Sequence, residues 1–103
     1  MPYTVTIVFT KLGLVKYISH LDLLRLMGRS VRRAGLPFAI SAGFSKHPKI
    51  SITRALKLGI ESESEEAVFA LREQIPGEEF RKRLQAQLPE GIYIKKYLCQ
   101  TKS

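Results

Sequence analysis

Residues 3–10, Tyr-Thr-Val-Thr-Ile-Val-Phe-Thr, alternate with a period of two. A strand sends successive side chains to opposite faces. Tyr3, Val5, Ile7 and Phe9 therefore share one face, and Thr4, Thr6, Val8 and Thr10 the other. Such a strand has one face to bury, so the chain must supply a sheet to extend it and helices to cover it. Lys11-Leu12-Gly13 is expected to turn the chain, and residues 14–18 to form a short second extended piece.

The cover comes next. Ser19 is the expected N-cap of a helix, and Asp22 three positions on resembles a capping box with Asp in place of Glu. Asp22 also sits in the first turn, where the helix dipole favours negative charge. At 100° per residue Leu23, Leu24, Met27, Val31 and Ala34 fall on one side, with His20 among them. Arg25, Arg29 and Arg32 fall together on another side, with Arg33 near its edge. Gly35 ends the helix and Pro37 prevents its return. Gly28 lies inside the helix at a cost of about 1 kcal/mol against Ala, and close approach of a neighbouring element would account for it.

Residues 37–41 read as a short strand leading into a basic loop. Residues 50–53 alternate as a strand that continues less regularly through residue 59. Residues 61–66, Glu-Ser-Glu-Ser-Glu-Glu, read as an acidic turn that closes a hairpin with a strand at residues 67–71. A second helix starts at Pro76 or Gly77 and carries Phe80, Leu84 and Leu88 at i, i+4 and i+8. Pro89-Glu90-Gly91 stops it, and residues 92–98 form a last strand. The order strand, helix, strand, strand, helix, strand is that of the α+β ferredoxin-like split βαβ sandwich, an antiparallel sheet with two helices on one face. The expected domain covers residues 1–98, with 99–103 a frayed tail. Its second sheet face stays open to a partner or another copy of the chain.

Charge narrows the function. The net charge is +8 over 103 residues. Ten of the seventeen Lys/Arg but only one of the nine acids, Asp22, lie in residues 1–60. That asymmetry predicts one basic face and a polyanionic partner. Two segments would build the face. One is the arginine stripe, whose guanidiniums recur about once per turn and suit phosphates; the bland alternative is a solvated helix face. The other is Gly43-Phe44-Ser45-Lys46-His47-Pro48-Lys49-Ile50-Ser51. Gly43 gives this loop backbone freedom, and Pro48 stiffens it and biases His47 towards an extended conformation. Lys46, His47 and Lys49 then crowd it without an acid. It reads as an anion-binding loop, or as a solvated turn with Phe44 in the core.

Enzymatic signatures are sparse. Cys99 is the single cysteine, which excludes an intramolecular disulfide and fits a reducing compartment. Neither paired metal ligands at helical spacing nor a nucleophile motif is present, so no metal or cofactor is expected. The start of the chain has no signal-peptide pattern, and no apolar run approaches the ~20 residues needed to span a bilayer. The expectation is a cytoplasmic protein with no membrane partner. His47, with lysines on both sides, is the better of the two histidines for acid–base work. An RNA-cleaving site would use it with Lys46 and Lys49 as oxyanion stabilisers, but the sequence identifies no second acid–base group.

Four segments in order carry a family resemblance: Ser19-His20-Leu21-Asp22; Arg32-Arg33-Ala34-Gly35-Leu36-Pro37; Gly43-Phe44 with His47-Pro48-Lys49-Ile50-Ser51; and Leu56-Lys57-Leu58-Gly59-Ile60-Glu61-Ser62. Together they resemble the radical SAM-linked domain family, over residues 3–98. The resemblance implies a context, a domain fused to or encoded beside a radical SAM protein, and no reaction. Family members often carry Asn-Pro where this chain has Ser45-Lys46, and Pro where it has Lys57, which makes this copy more basic. They also tend to be longer. The chain lacks the cysteine triad of an iron–sulfur cluster, so it is not itself the radical enzyme.

Three readings follow. The first is a basic accessory domain that binds RNA or another polyanion with Arg25, Arg29, Arg32, Arg33, Lys46, His47 and Lys49, and presents it to a radical SAM partner. The second is a protein-interaction or dimerisation domain using the open sheet face. The third, a minority reading, is an RNA-processing enzyme using His47.

Overall fold

The structure, a computed structural model, describes residues 3–40, 47–53 and 59–101. The alternating opening segment forms β1, Tyr3–Lys11, with Val5, Ile7 and Phe9 buried. It is followed by α1, His20–Arg33; β2, Ile50–Ile52; β3, Ser62–Leu71; α2, Gly77–Gln85; and β4, Ile94–Thr101. The four strands lie in the order β2-β3-β1-β4, every neighbouring pair antiparallel. This is the ferredoxin-like arrangement.

Both helices cover the same face of the sheet. The core joins Val5, Ile7 and Phe9 of β1 and Ala67, Phe69 and Leu71 of β3 to Leu23, Met27 and Val31 of α1 and Phe80 and Leu84 of α2. Phe69 and Phe80 meet edge to face, their centroids 5.3 Å apart. Fully burying each of these side chains other than Ala67 contributes about 1.5–3 kcal/mol, which is why the 2.0 and 3.6 periods decide the architecture. Neither described helix is long and apolar enough to cross a membrane.

Four expectations need correction. Residues 14–18 are not extended. Gly13–Tyr17 forms a 3₁₀ turn, entered through Gly13 at φ +65°, whose N–H donates to the Glu61 carboxylate at 2.8 Å. Residues 37–40 form only isolated bridges, Phe38 to Leu71 and Ile40 to Pro48. The acidic stretch is no turn: β3 starts at Ser62, and its first half pairs with β1, Glu65 opposite Phe9 and Glu66 opposite Val8. Glu65 is only 2% exposed, because it falls in the inward series with Ala67, Phe69 and Leu71, and it accepts a hydrogen bond from Ser62 Oγ at 2.7 Å. Finally, β4 runs on to Thr101, which pairs with Tyr3. Residues 99–101 are therefore strand, held by pairing with the start of β1, and not frayed tail. The expected pairing of the strand beginning at residue 50 with residues 67–71 is present as β2 on β3, Ile50 opposite Phe69 and Ile52 opposite Ala67. Residues 54–58, expected to prolong that strand, lie outside the described residues.

Side chains fasten the elements at their ends. Lys11, 2% exposed, donates from Nζ to the Ile18 carbonyl at 2.8 Å, closing the 3₁₀ turn back on β1. Thr10 Oγ1 donates to Gly91 O at 2.8 Å and accepts from Tyr93 N at 2.9 Å. Gln85, the last residue of α2, donates to Ile92 O and accepts from Ile94 N, setting where β4 begins. Arg83 reaches across from α2 to the end of α1, donating to Ala34 O at 2.7 and 3.0 Å and to Gly35 O at 2.7 Å.

Candidate functional site

The site is built on α1. Ser19 caps it as expected, its Oγ accepting from Asp22 N at 3.1 Å. Leu23, Met27 and Val31 hold the inner face of the helix in the core. Rotating about 120° away from them brings the surface that carries Leu21, Gly28 and Arg32, with Arg25 and Arg29 beyond. That surface faces Pro48 and Ile50 at the entry to β2, and the two sides enclose a cleft of about 550 Å³.

Arg25, Arg29, Arg32 and His47 all line this cleft. Leu21, Leu24, Gly28, Pro48 and Ile50 complete its described lining, so it has a cationic rim, an apolar floor and no acid. The helix stripe and His47, 15 residues or more apart in the chain, thus reach one cavity. Arg33 does not line it: at 100° per residue it falls past Arg29, on the outer side of the helix, exposed. Lys49 is also exposed and outside the lining. Its neighbour Ile50 packs against the core. Lys46 and Phe44 lie outside the described residues.

The rim charges are not cancelled within the described structure. Arg25 has one partner, Asp22, at 3.4 Å, with both side chains more than 60% exposed. An exposed pair of this kind is worth about 0–1 kcal/mol, so it leaves the guanidinium open to a stronger acceptor. Arg29 and Arg32 form no ion pair among the described residues. Arg32 lies over the Phe38 ring, 5.4 Å from its centroid. A cation–π contact of this sort orients a guanidinium while leaving its N–H edge free. The glutamates of α2 are engaged on their own helix, Glu78 with Arg81 and Glu79 with Arg83. The hydrogen bond from Arg81 holds the Glu78 carboxyl below its usual value, against a smaller opposing effect of desolvation.

Gly28 explains the depth of the cleft. A Cβ there would stand 3.9 Å from Cγ and Cδ of Pro48, an ordinary contact. The close approach expected from the sequence is therefore real but does not by itself require glycine; a larger side chain would fill the cavity. The apolar floor was not anticipated from the sequence. Leu21, 55% exposed, is its clearest signal, a large apolar residue placed four positions before Arg25 on the polar side of the helix.

Other chemistry is thin. Among the described residues no three His, Cys, Asp or Glu come together as a metal site would need. His47 is exposed, and the cleft's other described residues include no carboxylate, cysteine or second histidine. Cys99 is a free, exposed thiol on β4.

A family model described as an uncharacterised protein conserved in bacteria (DUF2344) matches residues 4–102. No curated protein and no solved structure matches the chain.

Proposed function

Because the chain belongs to this conserved bacterial family, whose description names no activity, we propose a function from the cleft itself: the domain binds single-stranded RNA through its phosphates. The observation that carries this reading is the convergence of Arg25, Arg29, Arg32 and His47 on one cavity whose described lining contains no acid. Guanidiniums suit phosphate because their forked N–H groups bind two oxygens at once. Arg33 and Lys49, turned outward, add to the long-range field and do not enter the grip. In this reading the domain presents RNA to a radical SAM partner, a context that rests on the family resemblance alone.

The test is a titration of a fluorescent RNA decamer at several salt concentrations. If the basic surface neutralises about four phosphates, log K against log salt slopes near −3. Replacing Arg25 and Arg29 together by Ala weakens binding by tenfold or more, at about 1–3 kcal/mol per charge-assisted bond. It leaves the melting curve within the ~0.5 kcal/mol typical of surface changes. Affinity indifferent to salt, or unfolding of the double variant, would count against the proposal.

A second reading places a protein partner, or another copy of the chain, on the uncovered sheet face. There Leu98 is 56% exposed and pairs across β1 with Thr6, which in turn faces Val68.

A further inference from the structure

A surface that only gripped phosphates would need no cavity. Backbone contacts need only cations within reach of the phosphates, with no apolar recess, and they position a strand without reading it. Here the arginines stand at the rim of a recess whose floor is apolar: Leu21, Leu24, Gly28, Pro48 and Ile50. Its volume of about 550 Å³ falls within the 300–1,000 Å³ usual for small-molecule sites. The helix gives up a side chain at Gly28, inside the recess, where any residue beyond alanine would occupy the space. Arg32, which lines the recess, also holds its guanidinium carbon 5.4 Å from the centroid of the Phe38 ring.

Resting on the RNA reading above, we infer that the recess holds one unstacked nucleotide of the bound strand. The phosphate sits on Arg25 and Arg29, and the base lies on the apolar floor with the Arg32 guanidinium against its edge or face. The chemistry fits: a base offers two apolar faces and a polar rim, and single-stranded RNA is recognised chiefly by splayed bases stacked on flat side chains, arginine included. Duplex RNA cannot deliver a base into the recess without unpairing and unstacking it. The site is therefore selective for single strands, and one nucleotide is its unit of recognition.

The experiment measures binding of five probes to the intact chain: inorganic phosphate, ribose 5-phosphate, adenosine and uridine 5′-monophosphates, and a single-stranded RNA decamer, with a hairpin of matched length as control. The monophosphates are expected to bind about tenfold more tightly than ribose 5-phosphate, the increment of one stacked base. Gly28→Leu, which fills the recess, is expected to abolish that increment and to weaken decamer binding about tenfold while leaving its salt slope intact. Gly28→Ala, which fits within ordinary contact and favours the helix, guards against a folding artefact; it is expected to stay folded and lose about twofold. Decamer binding that Gly28→Leu leaves within twofold, with no preference for monophosphates over ribose 5-phosphate, would overturn the nucleotide recess and leave phosphate-directed RNA binding standing. Monophosphate binding without decamer binding would overturn the strand as the source and point to a free nucleotide. No binding by any probe would remove both readings together.

Discussion

Gly91 shows how much a single position carries. Its φ is +101°, and a Cβ there would run into the Leu12 carbonyl and lie 2.8 Å from Val15 Cγ2. Its own carbonyl accepts from Leu12 N and Thr10 Oγ1. Gly91→Ala combines left-handed strain of about 1–2 kcal/mol with overpacking of about 1–3 kcal/mol. Loss of about 3 kcal/mol in urea denaturation is the expected outcome, and unchanged stability would show that the contact is absent. The sequence suggests Gly91 only as a helix stop, because the atoms that exclude a side chain there belong to residues some 80 positions earlier. The arginine stripe was legible for the opposite reason: Arg25, Arg29 and Arg32 are neighbours on a helix by local geometry alone. Lys49 was named for its charge, and charge alone does not disclose that it lies outside the lining of the cleft.

Among the elements, α1 was the most legible. Its cap, its apolar series and its end at Gly35 are all short-range signals. Ser19→Ala removes the bond to Asp22 N and is expected to lower stability by about 1 kcal/mol, read as a fall of about 4–8 °C in the melting midpoint. A Ser19→Asp variant is expected to restore it, since aspartate caps equally well; failure to do so would mean that the serine matters for something other than capping. The 3₁₀ turn was not legible, because five residues are too few to separate one period from another. The first half of β3 was hidden by composition: six consecutive Glu and Ser residues suggest a turn, yet the inward series Glu65, Ala67, Phe69, Leu71 runs through them at a strand's spacing. What outweighs the glutamates is the pairing of that half with β1, which no local signal discloses.

For the molecule as a whole, the linear charge asymmetry does not become two oppositely charged ends. The strand order β2-β3-β1-β4 interleaves the basic half of the chain with the acidic half. The helices divide the charge instead: α2 satisfies its own glutamates with its own arginines, and α1 turns Arg25, Arg29 and Arg32 towards the cleft. The RNA reading and the docking reading therefore use different faces. Leu98→Lys on the uncovered sheet is expected to leave both decamer affinity and the hydrodynamic radius unchanged. A dimer that this variant splits, by light scattering at matched concentrations, would favour the second reading. One feature constrains the cleft from a distance. Lys11 of β1 fastens the chain at Ile18, just before α1 begins, and Arg83, reaching over from the other helix, fastens α1 at its finish, so α1 is a beam supported at both ends. A beam so held cannot tilt outward without losing a support. Any widening to admit a bulkier guest must come from the opposite bank, where Pro48 stands, and the guest's size limit is accordingly written in that short segment.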